Sequence, residues 1–271
     1  MPDSLAPPFR RPAAVIAALT LCALAACGPA TTPTGVNDPY ETANRRTHEF
    51  NRGLDRALVR PAAEGYSLAV PDPVQDGVSN FADNLDLPGD VLNNLLQLRL
   101  GDAVKNSFRF AVNSTFGLGG LLDPATEMGL AHEETDFGET LHVWGAPEGA
   151  YVELPLAGPS TERDAFGLVT DIALNPTRWL VPSGDRKWVT GANIGGALSA
   201  RSRYGDLIDS ILYESADSYA QARVLYLQNR RFELGGRAAD PYAALSPDQE
   251  DSYADPDYDP IADPDYDPFA Q

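Results

Sequence analysis

Asp38-Pro39-Tyr40-Glu41-Thr42-Ala43-Asn44-Arg45-Arg46-Thr47-His48-Glu49-Phe50-Asn51-Arg52-Gly53-Leu54-Asp55-Arg56-Ala57-Leu58 is the stretch from which the fold class is read. It opens with a cap-type residue, then Pro and, two residues on, Glu, a capping-box pattern that predicts a helix start. Tyr40, Ala43, Thr47, Phe50, Leu54 and Leu58 follow at steps of three and four, so they share one helical stripe. Pro61 is expected to end or bend this helix.

The pattern recurs along the chain. Asp72-Pro73-Val74-Gln75 predicts a second helix start, with Val74, Val78, Phe81 and Leu85 on one stripe. A third run is expected after Pro88-Gly89-Asp90, and a fourth near Asp102 with Val104, Phe108 and Val112 in register. Leu207 to Arg230 predicts one late helix, with Ile208, Leu212, Ser215, Tyr219, Ala222 and Tyr226 on one face. Strand-like alternation is confined to the neighbourhood of Tyr151-Val152-Glu153-Leu154. The expected architecture is mostly α, built from amphipathic helices.

The N-terminus predicts export. Arg10 and Arg11 precede an uncharged apolar stretch, Ala13 to Ala26, which suits a signal-peptide core and is shorter than the roughly 20 apolar residues of a spanning helix. It ends at Leu24-Ala25-Ala26-Cys27, which resembles a bacterial lipobox. Residues 1–26 are thus expected to be a lipoprotein signal peptide, and 27–37 a lipidated N-terminus and linker. Cys27 would carry covalent lipid, and no other cofactor is expected. Cys22 leaves with the signal, so no disulfide framework is available to the mature chain.

The formal net charge is −19. Ten acidic residues and no Lys or Arg lie from Asp240 onward, where Ala254–Pro260 and Ala262–Pro268 repeat the same seven residues. Residues 239–271 are therefore expected to be a disordered acidic tail. Asp255, Asp257 and Asp259 alternate as in a calcium loop, but Pro260 and Tyr266 stand where that loop needs Gly and Glu. An acidic body and tail argue against nucleic acid as a partner.

Signals for chemistry are sparse. His48, His132 and His142 show no metal-site spacing, and no Gly-x-Ser-x-Gly elbow is present. Gly117-Leu118-Gly119-Gly120 lacks the ending of a nucleotide loop and reads as a helix stop and tight turn.

The segment Phe108-Arg109-Phe110-Ala111-Val112-Asn113-Ser114-Thr115-Phe116-Gly117-Leu118-Gly119-Gly120-Leu121-Leu122-Asp123-Pro124-Ala125 closely resembles the signature of the MlaA/VacJ lipoproteins. Asp38 to Glu41 with Asn44-Arg45 and Phe50-Asn51, Val78 to Leu85, Tyr151 to Pro155, Gly158-Pro159-Ser160 with Arg163-Asp164, and Tyr226-Leu227-Gln228 agree with it in order. The resemblance implies that residues 38–238 form a helical ring lying in the outer membrane, lipid-anchored, beside a porin trimer. It implies a passive amphipathic channel for retrograde transport of phospholipids, handed on to a periplasmic lipid-carrier protein, with no enzymatic step. Asn44, Phe50 and Asn51 are candidate channel or gate residues, and Gly117, Gly119 and Gly120 a candidate hinge or turn. The alternative is an envelope lipoprotein that braces a porin without moving lipid. Mass spectrometry of the mature protein is expected to find an acylated Cys27 at the N-terminus, and Cys27→Ala to leave the signal uncleaved; an uncleaved, unacylated wild-type chain would remove the anchor.

Overall fold

A computed structural model describes residues 35–177 and 181–235. The expected signal peptide, Cys27 and the acidic tail lie outside the described residues. Among the described residues the regular elements are ten α-helices, two π-helical turns and one short hairpin. In chain order they are α1 (Glu41–Leu54), α2 (Arg60–Ala69), α3 (Asp72–Leu96), α4 (Leu100–Thr115), α5 (Pro124–Glu127) and α6 (Phe137–Val143). Strands β1 (Tyr151–Leu154) and β2 (Gly158–Thr161) follow, then α7 (Glu162–Leu174), α8 (Arg186–Arg203), α9 (Gly205–Asp209) and α10 (Ser218–Glu233). The strands pair antiparallel, with Tyr151 opposite Thr161 and Leu154 opposite Gly158.

Packing partners run in a closed circuit, which makes the body ring-like. Helix α1 packs on β1, the hairpin on α7, α7 on α6, α6 on α3, α3 on α8, and α8 on α2. Helix α2 returns to α1 through the π-helical turn Asp55–Val59. Helix α4 lies along α3, and α10 packs on β2.

Several element boundaries differ from the sequence expectation. The helix does not stop at Pro61. The wider π turn lets Pro61 sit in the first turn of α2, where a missing N–H costs no intrahelical bond. The expected second and third helices are one helix, α3, which carries Pro88 inside it. The expected late helix is broken: a π-helical turn, Ser210–Glu214, follows α9, and α10 starts afresh at Ser218 with the Asp217 side chain accepting from Ala220 N.

Neither acidic cap forms as expected. Asp38 does not cap α1, because three other donors claim its carboxylate: Asn44 Nδ2 at 2.9 Å, Tyr219 Oη at 2.5 Å and Arg223 Nη1 at 2.5 Å. Asp72 is already helical, behind Pro71.

The larger departure is in which face is buried. Tyr40, Phe50, Leu58, Val74, Leu95, Val104 and Phe108 are exposed, while Asn44, His48, Asn84, Asp90, Asn93, Asn94, Gln97, Asn106, Arg109 and Asn113 are buried. Along α4 the inward stripe is Asn106, Arg109 and Asn113, at steps of three and four. The apolar stripes legible in α1 and α4 therefore face mostly outward, whereas of the Val74 stripe on α3 only Val74 is exposed and Val78, Phe81 and Leu85 are half-buried. Aromatic packing inside is concentrated in one cluster, where Tyr151, Tyr219 and Leu227 are buried with Val36 and Tyr226 against them. Among the described residues no helix is long and apolar enough to cross a membrane.

The glycine turn after α4 is set by contact and by dihedral. A Cβ on Gly117 would lie 2.3 Å from the Leu122 carbonyl oxygen and 2.5 Å from that of Asn113, whereas Gly119 has open space but φ +79°. Gly117→Ala is expected to destabilise the fold by about 1–3 kcal/mol through forced backbone movement. Gly119→Ala, limited to left-handed strain, is expected to cost about 1 kcal/mol. Denaturant unfolding of both variants would measure this; equal, negligible losses would contradict the turn geometry.

Candidate functional site: a polar cleft inside an apolar ring

The inward polar faces meet around a cleft of about 690 Å³. Helix α3 presents Asp83, Asp86, Asp90 and Asn93 along it, spaced so that they share a face. The segment from His132 to Glu139 forms a second wall, the end of α7 with Asp171 a third, and Arg230 and Glu233 of α10 close it.

Hydrogen bonds hold these walls together. His132 Nε2 meets Asp90 Oδ2 at 2.7 Å, and Thr135 N donates to Asp90 Oδ1 at 3.3 Å. Asp171 accepts from Asn93 Nδ2 and from Phe137 N, each at 2.9 Å, tying α7 to α3 and to the start of α6. Arg99 Nη1 donates to Glu139 Oε1 at 2.6 Å. Arg230 Nη2 bridges Asp136 at 2.7 Å and Asp164 at 3.2 Å.

The cleft carries more carboxylates than cations, and its proton affinities reflect this. Burial, then the charges of Asp90 and Asp83, push the Asp86 carboxyl up to about 6 although its side chain opens onto the cleft. Burial raises Asp90 and Asp171 as well, partly offset by their hydrogen bonds. Burial lowers the His132 imidazole, but the hydrogen bond and charge of Asp90 outweigh it, so the net shift is upward. Asp164 goes the other way: burial is outweighed by the charges of Arg230 and Arg163, which hold it below the usual carboxylate range.

A second polar knot stabilises the glycine turn. Asp123 accepts from Asn113 Nδ2 and Arg109 Nη2, each at 2.9 Å, and caps α5 through Thr126 N at 3.2 Å. Arg109 also donates to the Leu130 carbonyl. The segment from Phe108 to Ala125 is thus a helix, a turn and a short helix locked by its own polar side chains.

The residues singled out in the sequence fall into two groups. Asn44 and Asn51 act on the open edge of β1. Asn44 Nδ2 donates to Tyr151 O at 3.0 Å and its Oδ1 accepts from Glu153 N at 3.0 Å. Asn51 repeats this with Leu154 O and Leu156 N, each at 2.9 Å. Two amides seven residues apart on α1 thereby substitute for a missing strand. Phe50 points away from them and is 57% exposed. Gly117, Gly119 and Gly120 lie together in the turn after α4, with Gly120 (φ +101°) against Asn84. Cys27 lies outside the described residues.

Sequence reasoning did not single out the cleft residues Asp83, Asp86 and Asp90. Their shared spacing with Asn93 and Gln97 was the available signal. It also found no nucleophile and base together, yet folding brings Ser218, His48 and Glu153 into line. His48 Nε2 is 3.0 Å from Ser218 Oγ and His48 Nδ1 is 3.2 Å from Glu153 Oε1. All three are buried, at 6%, 4% and 6% exposure. Arg52 also donates to the serine oxygen, at 3.3 Å, and Tyr151 Oη to Glu153 at 2.5 Å. This arrangement bonds α1, β1 and α10 together, and its burial leaves substrate no approach. Among the described residues no group of three or more His, Cys, Asp or Glu side chains is placed to hold a metal ion.

Fold and site define a class: a ring of helices with many apolar side chains on its outside and a polar interior cleft. The profile described as MlaA lipoprotein matches residues 36–233. The chain belongs to the MlaA lipoprotein family. An uncharacterised protein of Rickettsia felis is 41% identical over 142 residues, spanning 52% of this chain and 57% of that protein. The intermembrane phospholipid transport system lipoprotein MlaA of Escherichia coli is 33% identical over 207 residues, 74% of this chain and 80% of its own. That of Haemophilus influenzae is 33% identical over 202 residues, 73% of this chain and 79% of its own. A solved structure described as the structural basis for maintenance of bacterial outer membrane lipid asymmetry superposes with a TM-score of 0.61 at 32% identity. It covers 73% of this chain and 98% of that one.

Asp86 gives a pH test. Its folded pKa of about 6 lies above the unfolded value of 3.8, so between these values the folded state binds more protons and stability falls as pH rises. Asp86→Asn is expected to stabilise the protein at pH 7 and to flatten its stability between about pH 4 and 6. Parallel slopes for variant and wild type in that window would place Asp86 outside an enclosed acidic cleft.

Proposed function

We propose that this protein is an outer-membrane lipoprotein that gives phospholipids a passive path from the outer leaflet toward the periplasm, maintaining lipid asymmetry. One observation carries the reading: the helices expose many large apolar side chains, among them Phe50, Leu58, Val104 and Phe108, while polar residues, the buried Asp90 and Asn93 among them, line a cleft. Exposed apolar side chains in this number suit lipid contact. A phospholipid crossing a bilayer meets its barrier at the headgroup, because desolvating a charged group without partners is expensive. A cleft of carboxylates, amides and arginines lowers that barrier by offering partners along the way. Tails can stay against apolar side chains, so no bond is broken and no nucleotide is needed.

In this reading the ring sits in the outer membrane without spanning it by single helices, since each helix satisfies its own backbone groups. Lipid on Cys27 holds it there from the periplasmic side, stably if more than one acyl chain is attached. A porin trimer beside it and a periplasmic lipid carrier that accepts the lipid complete the route. Asn44 and Asn51 brace the ring by fixing β1 to α1 outside the cleft lining, and the exposed Phe50 between those anchors would act on lipid at the outer face. The turn at Gly117, Gly119 and Gly120 is the place where α4 and α5 would hinge. No reaction is catalysed.

The test is phospholipid exposed on intact cells, read with a membrane-impermeant headgroup label. Deleting the protein is expected to raise the signal and the wild-type chain to restore it. Gly89 lines the cleft, and an added Cβ there meets nothing within 4 Å, so Gly89→Trp can fill the path with the ring intact. That variant is expected not to restore the signal. Full restoration by Gly89→Trp would favour a structural brace that moves no lipid.

A further inference from the structure

Every cation that lines the cleft is already matched by a carboxylate of the protein itself. Arg230 is ion-paired with Asp136 at 2.7 Å, Asp164 at 3.2 Å and Glu233 at 3.3 Å. His132 meets Asp90 at 2.7 Å, and Arg99 meets Glu139 at 2.6 Å. Nine of the lining residues are Asp or Glu, against those two arginines and one histidine. Three of the carboxylates, Asp83, Asp86 and Asp171, form no ion pair among the described residues. Asp171 is held by neutral donors, Asn93 Nδ2 and Phe137 N, each at 2.9 Å. Asp83 and Asp86 stand three residues apart on α3, line the cleft and are exposed. Burial, then the like charges of Asp90 and Asp83, raise the Asp86 carboxyl to about 6, which leaves it mostly ionised at neutral pH.

Phospholipid headgroups share a phosphate and differ in what that phosphate carries. An ethanolamine-type headgroup adds an ammonium and is neutral overall. A glycerol-type headgroup adds only hydroxyls and keeps its negative charge. In both, the phosphate can meet Arg99, an exposed side chain with one side-chain hydrogen bond, to Glu139. Only the ammonium gains from Asp83, Asp86 and Asp171, whereas a net-anionic headgroup is opposed by them. Both effects grow as bulk water is left behind. Carboxylate rings select cations in pores by the same means, and repulsion of the wrong species is as much a source of specificity as attraction of the right one.

Given the lipid path proposed above, on which this rests, we infer that the cleft selects by headgroup charge. It passes zwitterionic phospholipids that carry an ammonium and holds back net-anionic ones, with Asp83, Asp86 and Asp171 as the selecting carboxylates. Asp83 and Asp86 are the pair to change. Neither makes a side-chain hydrogen bond or ion pair among the described residues, whereas Asp171 ties α7 to α3.

The test uses the full-length lipidated protein, reconstituted at neutral pH into vesicles carrying tail-labelled phosphatidylethanolamine or tail-labelled phosphatidylglycerol. An impermeant quencher follows how fast the label leaves the outer leaflet. Phosphatidylethanolamine is expected to redistribute at least about fivefold faster than phosphatidylglycerol. Asp83→Asn with Asp86→Asn is expected to bring the ratio below about twofold, chiefly by speeding phosphatidylglycerol. Raising NaCl to about 0.5 M is expected to narrow the wild-type ratio in the same direction, because exposed charges are screened. Equal rates for the two lipids in the wild type would overturn the selectivity and leave the path standing. No movement of either lipid above protein-free vesicles would remove the path, and the selectivity with it. A ratio that the double variant leaves unchanged would overturn the assignment to these carboxylates. If that variant misfolds, the salt series decides, and a ratio indifferent to salt would overturn selection by charge.

Discussion

The structure depends on one constraint: side chains that turn inward are mostly polar, so each must find a partner inside the protein. In an ordinary globular domain, burial of apolar surface drives folding and polar groups stay wet. Here buried Asn, Asp, Arg and Thr side chains outnumber buried apolar ones among the described residues. A buried polar group without a partner is penalised far more than a satisfied one is rewarded. The ring is consequently held by interlocked hydrogen bonds: Asp171 to Asn93 and Phe137 N, Asp123 to Asn113 and Arg109, Asn44 and Asn51 to β1.

These knots are directional, and that explains their placement. Except for the local knot at Asp123, they join elements distant in sequence at an angle that hydrophobic contact alone would not specify. Asp55 accepts two bonds from Arg201, at 2.8 Å each, and one from Tyr213 at 2.7 Å, binding the π turn after α1 to α8 and to the turn before α10. The polar interior also keeps a cleft open. A hydrophobic interior tends to close-pack, whereas charged walls fixed by their own partners can stand apart around a cleft of about 690 Å³.

Much of the fold was legible in the residues. Helix-forming periodicity, the strand at Tyr151–Leu154 and the turn at Gly117 are local properties, and each is present. Pro61 and Pro88 misled because a proline interrupts a helix only when the backbone has no other way to relieve it. A π turn relieved the first, and α3 accommodated the second. The late helix divides at Ser215 because Asp217 caps a new helix there, a choice the apolar stripe did not reveal.

The cleft was not legible for a deeper reason. Periodicity reports that a helix has two faces, and it is silent on which face turns inward. Tyr40, Phe50, Val104 and Phe108 would be core in water and face outward here. Likewise the alignment of His48 with Ser218 and Glu153 joins residues more than 100 positions apart, and only closure of the ring brings them together. By itself the sequence determined the helical class, the family, and where helices and turns lie along most of the chain, because these follow from local backbone preference and ordered motifs. Tertiary structure alone decided which stripe became interior and which carboxylates share a cleft, because those outcomes depend on partners distant in the chain.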